Sequence, residues 1–218
     1  MSFAQKFVPA SSSAQTSGFL NRNVFKYIFV SRRRFLDSIY YTEHLVLKNL
    51  DPSWAPSVLN FYLINRSHFE PWEPLRPNNF YTSNHQRFVL AAEQQLFLNN
   101  QAVRYYLFEK SNTHKIIGSV NFYNIHKNPD NSCKIGYKLA SSKLHKGYAT
   151  EAISFLIPRI FHDYNLYRIE ADIMKNNLPS IHLIEKLNFH LEGITRGGFE
   201  ICGKREDHLK YSLIYTDI

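Results

Sequence analysis

The chain has 218 residues, and 44% of them are hydrophobic, which is enough for one domain with a full core. Its formal net charge is +8, but residues 1–36 carry six basic side chains and no acidic one. The rest of the chain holds 20 basic and 18 acidic side chains, so no broad nucleic-acid-binding face is predicted for the folded part.

The sequence contains two cysteines, Cys133 and Cys202, and neither a Cys-x-x-Cys nor a His-Glu-x-x-His pattern. We therefore predict no disulfide framework and no metal site. No run approaches the roughly 18 apolar residues that a membrane span needs, so none is predicted. The low cysteine content fits a reducing compartment, and we expect a cytoplasmic location.

Residues 1–36 are basic, rich in serine and free of acid. That composition is compatible with a transit peptide that targets an organelle. A disordered tail, or residues upstream of the natural start, would have the same composition. We treat 1–36 as an N-terminal extension and 37–218 as the folded domain.

The first half of the folded part predicts a strand, a helix, a proline-rich segment and a second helix. Asp51 and Pro52 are suited to the start of the first helix, and Thr82 or Ser83 can cap the second. Three prolines make the segment between the helices extended or turning. The elements are 45–47, 51–65, 71–77 and 82–98.

The second half predicts mainly strands, with a long helix and a short one among them. Pro158 lies inside the long helix, so we expect a kink or an early end there. The order of elements indicates an α/β domain of the α+β type, with a largely antiparallel sheet and one parallel step across the long helix. The strands are 103–109, 115–125, 132–139, 168–173, 198–201 and 207–215, and the helices are 150–164 and 180–187.

The stretch 143–152 lies between a predicted strand and the long helix. A strand-to-helix turn points unpaired backbone N–H groups and the positive end of the helix dipole at one small volume, which suits an anion. Gly147 lets backbone approach a ligand closely, Ala149 adds little bulk, and Lys146 adds positive charge. An ordinary tight turn would show a similar pattern.

Residues 144–149 resemble the acetyl-CoA pyrophosphate loop of the GNAT acetyltransferases, written Gln/Arg-x-x-Gly-x-Gly/Ala. Downstream, 177–180 and 187–189 resemble the family's Asn-x-x-Ser and Leu-Gly-Phe. Residues 207–213 resemble the closing strand of the RimJ/RimL branch, which acetylates protein N-termini. The resemblance extends over about 41–215.

The resemblance implies a GNAT-like twisted sheet flanked by helices, with two splayed strands and the acetyl-CoA arm in the gap between them. It also implies which residues bind this cofactor. His145 stands where most relatives have glycine, and a positive φ there would suit histidine poorly. The implied cofactor-binding residues are Tyr137, Leu139, Leu144, His145, Lys146, Gly147, Tyr148, Ala149, Thr150 and Asn177.

Acetyl transfer to an amine needs a base for the amine and a proton donor for the leaving thiolate. An α-amine has a reference pKa of about 8 and lysine of about 10.4, so an enzyme for N-termini can use a weak base. The resemblance implies Asp172 or Glu200 as this base, although the RimL-type glutamate falls at Phe199. Ser180 is the implied donor because Ile184 occupies the usual tyrosine position, and Ser180 could instead only cap its helix.

The resemblance therefore implies an acetyl-CoA-dependent N-acetyltransferase whose acceptor is the N-terminal α-amine of a protein of the ribosomal-protein type. Trp72, Phe69 and Phe122 are the expected acceptor contacts. A small-molecule amine acetyltransferase and a non-catalytic acetyl-CoA-binding domain are the alternatives. We expect a monomer or a homodimer.

Overall fold

The computed structural model describes residues 39–218, so the predicted extension at 1–36 lies outside the described residues. The described part contains one mixed sheet. Its strands are β1 (Ile39–Tyr41), β2 (Leu45–Lys48), β3 (Val103–Glu109), β4 (Asn112–His126), β5 (Ser132–Leu139), β6 (Arg168–Met174), β7 (His190–Ile201) and β8 (Lys204–Ile214). They lie in the order β1-β2-β3-β4-β5-β6-β8-β7, and β5–β6 is the parallel step that we predicted.

Helices cover both faces of this sheet. Because side chains alternate along a strand, Tyr105 and Leu107 of β3 belong to one apolar cluster and Tyr106 and Phe108 to the other. The first cluster contains the buried faces of α4 and α5, and the second contains that of α1. The helices are α1 (Ala55–Ile64), α2 (Arg66–Phe69), α3 (Ser83–Leu98), α4 (Tyr148–Tyr164) and α5 (Leu178–Lys186).

The early end at Pro158, one of the two outcomes expected from the sequence, does not occur in helix α4. The helix continues to Tyr164, and Asn165 follows in the left-handed region with φ 51°. Helix α3 begins as predicted, since the Thr82 side chain accepts a hydrogen bond from the N–H of His85 at 3.2 Å.

Two strands differ from the sequence prediction. Strand β1 has three residues, too few for a recognisable alternation. Strand β7 begins at His190 instead of 198. The sequence pattern did not predict its first half because those residues are largely exposed and lack an apolar face.

The parallel pair β5–β6 separates along its length, which confirms the predicted splay. Residues Ser132, Cys133 and Lys134 pair with Arg168, Ile169 and Glu170, and the register ends there. On its other side β5 stays paired with β4 as far as Leu139 opposite Gly118. Residues 135–139 therefore border a gap on the β6 side.

The direction of the backbone groups along this gap follows from one hydrogen bond. The N–H of Ala140 donates to the carbonyl of Ile117, the residue before Gly118 in β4, at 2.8 Å. Because the direction of these bonds alternates along an antiparallel strand, Lys138 also faces β4, whereas Tyr137 and Leu139 turn their N–H and C=O groups towards the gap.

Gly118 makes this part of the sheet sensitive to a single methyl group. A Cβ at Gly118 would lie 2.7 Å from the carbonyl oxygen of Lys138, which is backbone and cannot move aside cheaply. We expect Gly118→Ala to lower the free energy of unfolding by about 1–3 kcal/mol. Gly136→Ala is the matched control, since its nearest neighbour lies at 3.5 Å, and it should leave stability unchanged or raise it by up to about 1 kcal/mol. Denaturant unfolding of both variants measures the difference, and equal stabilities would contradict the clash.

Candidate functional site

The turn before α4 has the geometry of an anion site. His145 has φ 60° and Gly147 has φ 77°, so the position held by histidine does need a positive φ. Gly147 precedes the helix without a side-chain cap, which leaves the N–H groups of the first helical turn without intrahelical partners. A Cβ on Gly147 would meet no atom within 4 Å, so the volume in front of these groups is open.

Two carboxylates hold this turn in place. Glu109 at the end of β3 accepts hydrogen bonds from Lys143 at 2.6 Å and from the hydroxyl of Tyr148 at 2.9 Å. Glu151 accepts from the N–H of His44 at 2.7 Å and from the hydroxyl of Thr42. The side chain of Tyr148 is therefore an anchor of the loop, and its backbone is the part that faces the anion site.

A hydrogen bond crosses the gap between β5 and the segment after β6. The hydroxyl of Tyr137 donates to the carbonyl of Ser180 in the first turn of α5 at 3.1 Å. Burial raises the pKa of Tyr137, so the phenol stays protonated and able to donate. This contact holds Ser180 beside the gap.

Asn177, not Ser180, caps helix α5. The side-chain oxygen of Asn177 accepts a hydrogen bond from the N–H of Ser180 at 3.3 Å. Within residues 39–218 the hydroxyl of Ser180 makes no hydrogen bond. The capping role that the sequence left open for Ser180 therefore belongs to Asn177, and the Ser180 hydroxyl is available to a ligand.

The opposite face of the sheet carries Asp172, one of the two predicted bases. Asp172 lies just past the last paired residues of β5 and β6, is 7% exposed, and pairs through Oδ2 with Lys134 at 2.6 Å. Phe199 faces this pair, with the Lys134 ammonium 5.7 Å from its ring centroid. Glu200 is the next residue along β7 and is exposed, so it points to the other side. The structure brings Asp172 to the gap and does not bring Glu200 there.

A cleft of about 670 Å³ lies on this face, which we call the hairpin cleft. It runs between the segment 66–81 and the turn that joins β7 to β8. The N–H of Cys202 in that turn donates to the carbonyl of Glu73 at 3.3 Å. The side chains that line this cleft include Arg66, Glu70, Glu73, Arg76, Tyr81 and Cys202.

Glu73 joins the hairpin cleft to the splayed strand. Its carboxylate accepts hydrogen bonds from Lys138 of β5 and from Arg76. Burial opposes ionisation, but the two cations outweigh it and hold the pKa of Glu73 below its ordinary value. The sequence analysis missed all three residues, because their pairing depends on contacts between distant segments.

The aromatic residues predicted to contact the acceptor are in different environments. Phe122 is 0% exposed in the first apolar cluster, and Phe69 is 4% exposed and packs 5.3 Å from the ring of Phe61. Both rings therefore have packing roles. Trp72 is 38% exposed and ends the helical turn that contains Glu70 and Pro71.

Among residues 39–218, no helix is long and apolar enough to cross a membrane. No cluster of histidine, cysteine or acidic side chains in the same range could hold a metal ion. Residues 44–190 match the family model described as the acetyltransferase (GNAT) domain. The chain belongs to the GNAT family.

Similar proteins agree with this assignment. The chain is 31% identical over 173 residues to the probable N-acetyltransferase YjcK of Bacillus subtilis, covering 79% of this chain and 95% of that protein. The crystal structure of ribosomal-protein-S5-alanine acetyltransferase from Vibrio fischeri has a TM-score of 0.78 at 32% identity, covering 82% and 97% of the two chains. RimJ of Mycobacterium smegmatis in complex with CoA-disulfide has a TM-score of 0.77 at 21% identity, covering 83% and 88%.

As a GNAT protein the chain is an acetyltransferase, and acetyl-CoA is its acetyl donor. The structural features that suit this donor are the open anion site before α4 and the gap beside β5. They lie before and after one strand-to-helix connection, the gap beside β5 and the anion site at the start of α4. The GNAT resemblance inferred from 144–149 and 177–180 is thereby confirmed.

The reassigned cap gives a direct stability test. Asn177→Ala should lower the free energy of unfolding by about 0.5–1 kcal/mol, because it removes the side-chain acceptor that shares the N–H of Ser180 with the backbone carbonyl of residue 177. Ser180→Ala should leave that free energy unchanged, since the hydroxyl it removes has no partner within the described residues. Thermal and denaturant unfolding of the two variants check this expectation, which equal losses of stability would contradict.

Proposed function

We propose that this GNAT protein transfers the acetyl group of acetyl-CoA to the N-terminal α-amine of a protein, with ribosomal proteins as the acceptor class. The observation that carries the proposal is the splayed strand β5, bordered on one face by Ser180 and on the other by Asp172 and the hairpin cleft. Thioester and amine can then approach from opposite faces of the sheet. The name of the Vibrio fischeri relative supports the acceptor class. We also propose that the protein acts in the cytoplasm.

Acetyl-CoA is held mainly by backbone in this proposal. The first N–H groups of α4, at Tyr148, Ala149 and Thr150, bind the pyrophosphate together with the turn at Leu144, His145 and Gly147. The exposed Lys146 adds a screened positive charge. These groups need no rearrangement, because the turn is already anchored.

The pantetheine arm lies along β5. Its two amides pair with the N–H and C=O groups that Tyr137 and Leu139 turn towards the gap. Asn177 keeps its side-chain NH₂ for the ligand, since only its oxygen is used in the helix cap. The cofactor thus takes the place that strand β6 leaves empty.

The thiolate leaves when the amine attacks the thioester carbonyl. The Ser180 hydroxyl donates a hydrogen bond to the sulfur as negative charge develops there. Ile184 is 0% exposed and a hydrocarbon, so it cannot replace this donor.

The amine loses its proton on the other face. About a tenth of α-amines are already neutral at pH 7, so a strong base is not required. We assign the remaining proton transfer to Asp172 through a water molecule, since Oδ1 is left free by the pair with Lys134. We do not assign a role to Glu200, which points away from the gap.

The acceptor class is tested by acetyl-CoA consumption against matched peptides. Peptides with a free N-terminal amine should be acetylated, whereas the same peptides with a blocked N-terminus and an internal lysine should not. Polyamines serve as the small-amine comparison. Turnover with polyamines alone would overturn the proposed acceptor. Absence of turnover with every amine would indicate a domain that binds acetyl-CoA without catalysis.

Gly147 tests the cofactor site. Gly147→Asn keeps a residue that tolerates positive φ but puts its side chain into the open volume in front of the helix N–H groups. We expect acetyl-CoA affinity to fall at least about tenfold, the value of one charge-assisted hydrogen bond. Gly203→Asn is the matched control, because Gly203 has φ 78° and lies in the β7–β8 turn. Calorimetry that found equal affinities in the two folded variants would contradict the assignment.

Ser180 tests the proton donor. A hydrogen bond to a developing charge is worth roughly 1.5–3 kcal/mol, so Ser180→Ala should lower kcat about ten- to a hundredfold. Affinity for acetyl-CoA and the melting temperature should stay unchanged, because the hydroxyl has no structural partner. Normal kcat in this variant would show that Ser180 is not the donor.

A further inference from the structure

Arg76 occupies an unusual place in the wall of the hairpin cleft. Its guanidinium carbon lies 4.0 Å from the ring centroid of Phe80 and 4.7 Å from that of Tyr62. One nitrogen, Nη2, donates to Glu73. The side chain is 9% exposed, so it is nearly as buried as a core residue.

The other nitrogens of Arg76 lack acceptors. Nε and Nη1 are buried and have no hydrogen-bond partner among the described residues. An arginine stays charged in a protein, and buried donors without acceptors are destabilising. The rings of Phe80 and Tyr62 fix the guanidinium by stacking, but neither accepts a hydrogen bond from Nε or Nη1. This position therefore needs an oxygen from a ligand or a water.

The surroundings indicate what kind of ligand this is. Both carboxylates of the hairpin cleft are already paired, Glu70 with Arg66 at 2.9 Å and Glu73 with Lys138 and Arg76. Three cations thus face two anions. Leu75 and Asn78 line the same cleft and are exposed, so a shift of these two side chains would not disturb the core.

We propose that Arg76 is a specificity-determining residue that binds a carboxylate on the acceptor, close to the amine that is acetylated. The inference rests on the proposed function, in which the amine enters from this face. Glu73 couples the two sites, because it contacts Arg76 on the cleft side and Lys138 of β5, whose neighbours Tyr137 and Leu139 border the gap. The preferred acceptors are therefore N-termini with an acidic residue within the first few positions.

The experiment uses peptide pairs that differ only in glutamate or glutamine at the second, third or fourth position. Binding is measured by calorimetry with CoA present, so that the readout does not depend on turnover, and kcat/KM is measured in parallel with acetyl-CoA. The full chain should bind the best glutamate peptide about tenfold or more tightly than its glutamine partner, as expected for a charge-assisted hydrogen bond in a buried site.

Two variants separate the specific contact from general charge. Arg76→Gln should abolish the preference for glutamate, and Arg76→Lys should restore part of it, because lysine keeps the charge without the stacked planar group. Arg66→Gln is the matched control. It removes a cation of the same cleft that is 57% exposed and already paired, so it should change the preference by no more than about twofold. Thermal unfolding confirms that each variant is folded.

The outcomes distinguish this inference from the function on which it rests. Equal binding of glutamate and glutamine peptides by the unmodified chain would overturn the inference, and would indicate water on Arg76. The inference would also be overturned if Arg66→Gln and Arg76→Gln reduced the preference for glutamate equally. If the glutamate preference depends on Arg76 but no peptide is acetylated, the proposed acetylation of N-termini fails and the carboxylate site stands.

Discussion

The separation of β5 from β6 is the constraint on which the rest of the structure depends. Backbone N–H and C=O groups inside a protein need partners, and residues 135–139 of β5 have strand partners on the β4 side alone. Side-chain contacts span the gap at both ends. Lys134 and Asp172 form an ion pair where the strands part, and Tyr137 reaches Ser180 farther along. An amide-bearing ligand satisfies such a strand better than water does, because it offers donors and acceptors at the same spacing.

The anion site before α4 has its backbone geometry in place without a ligand. Its two left-handed residues, His145 and Gly147, set the direction of the backbone. The carboxylates of Glu109 in β3 and Glu151 in α4 hold it. The hydrogen bond from Lys143, assisted by Tyr148, keeps the pKa of Glu109 below its ordinary value, so this anchor remains ionised at neutral pH. Pre-organisation of this kind matters because ordering a loop on binding would cost affinity. Histidine at 145 is strained relative to glycine, and the anchors compensate for that strain.

The two faces of the sheet have different chemistry because α4 and α5 cover one and the segment 66–81 covers the other. The first face is apolar apart from the helix N-termini, which suits a cofactor held by backbone. The second is lined with ion pairs that link the hairpin cleft, through Glu73 and Lys138, to the strand beside the cofactor gap. Such pairs contribute little net stability once desolvation is included. Their use is to position charged groups where an amine must lose its proton and approach a thioester.

Local patterns determined much of this protein in advance. The 3.6-residue period of α4, the twofold alternation of β6 and the small residues at 147 and 149 reflect interactions within a few residues, so they can be read directly from the sequence. Asn188, which follows α5, has a left-handed φ of 63°, a backbone conformation that asparagine tolerates at helix ends. Only the tertiary structure decided that Asn177 caps α5, that Glu200 points away from the gap, and that Glu73 joins Lys138 to Arg76. These outcomes depend on strand register, on the irregular pairing between Thr195 and Phe199, and on contacts between segments about 65 residues apart, which no local period encodes.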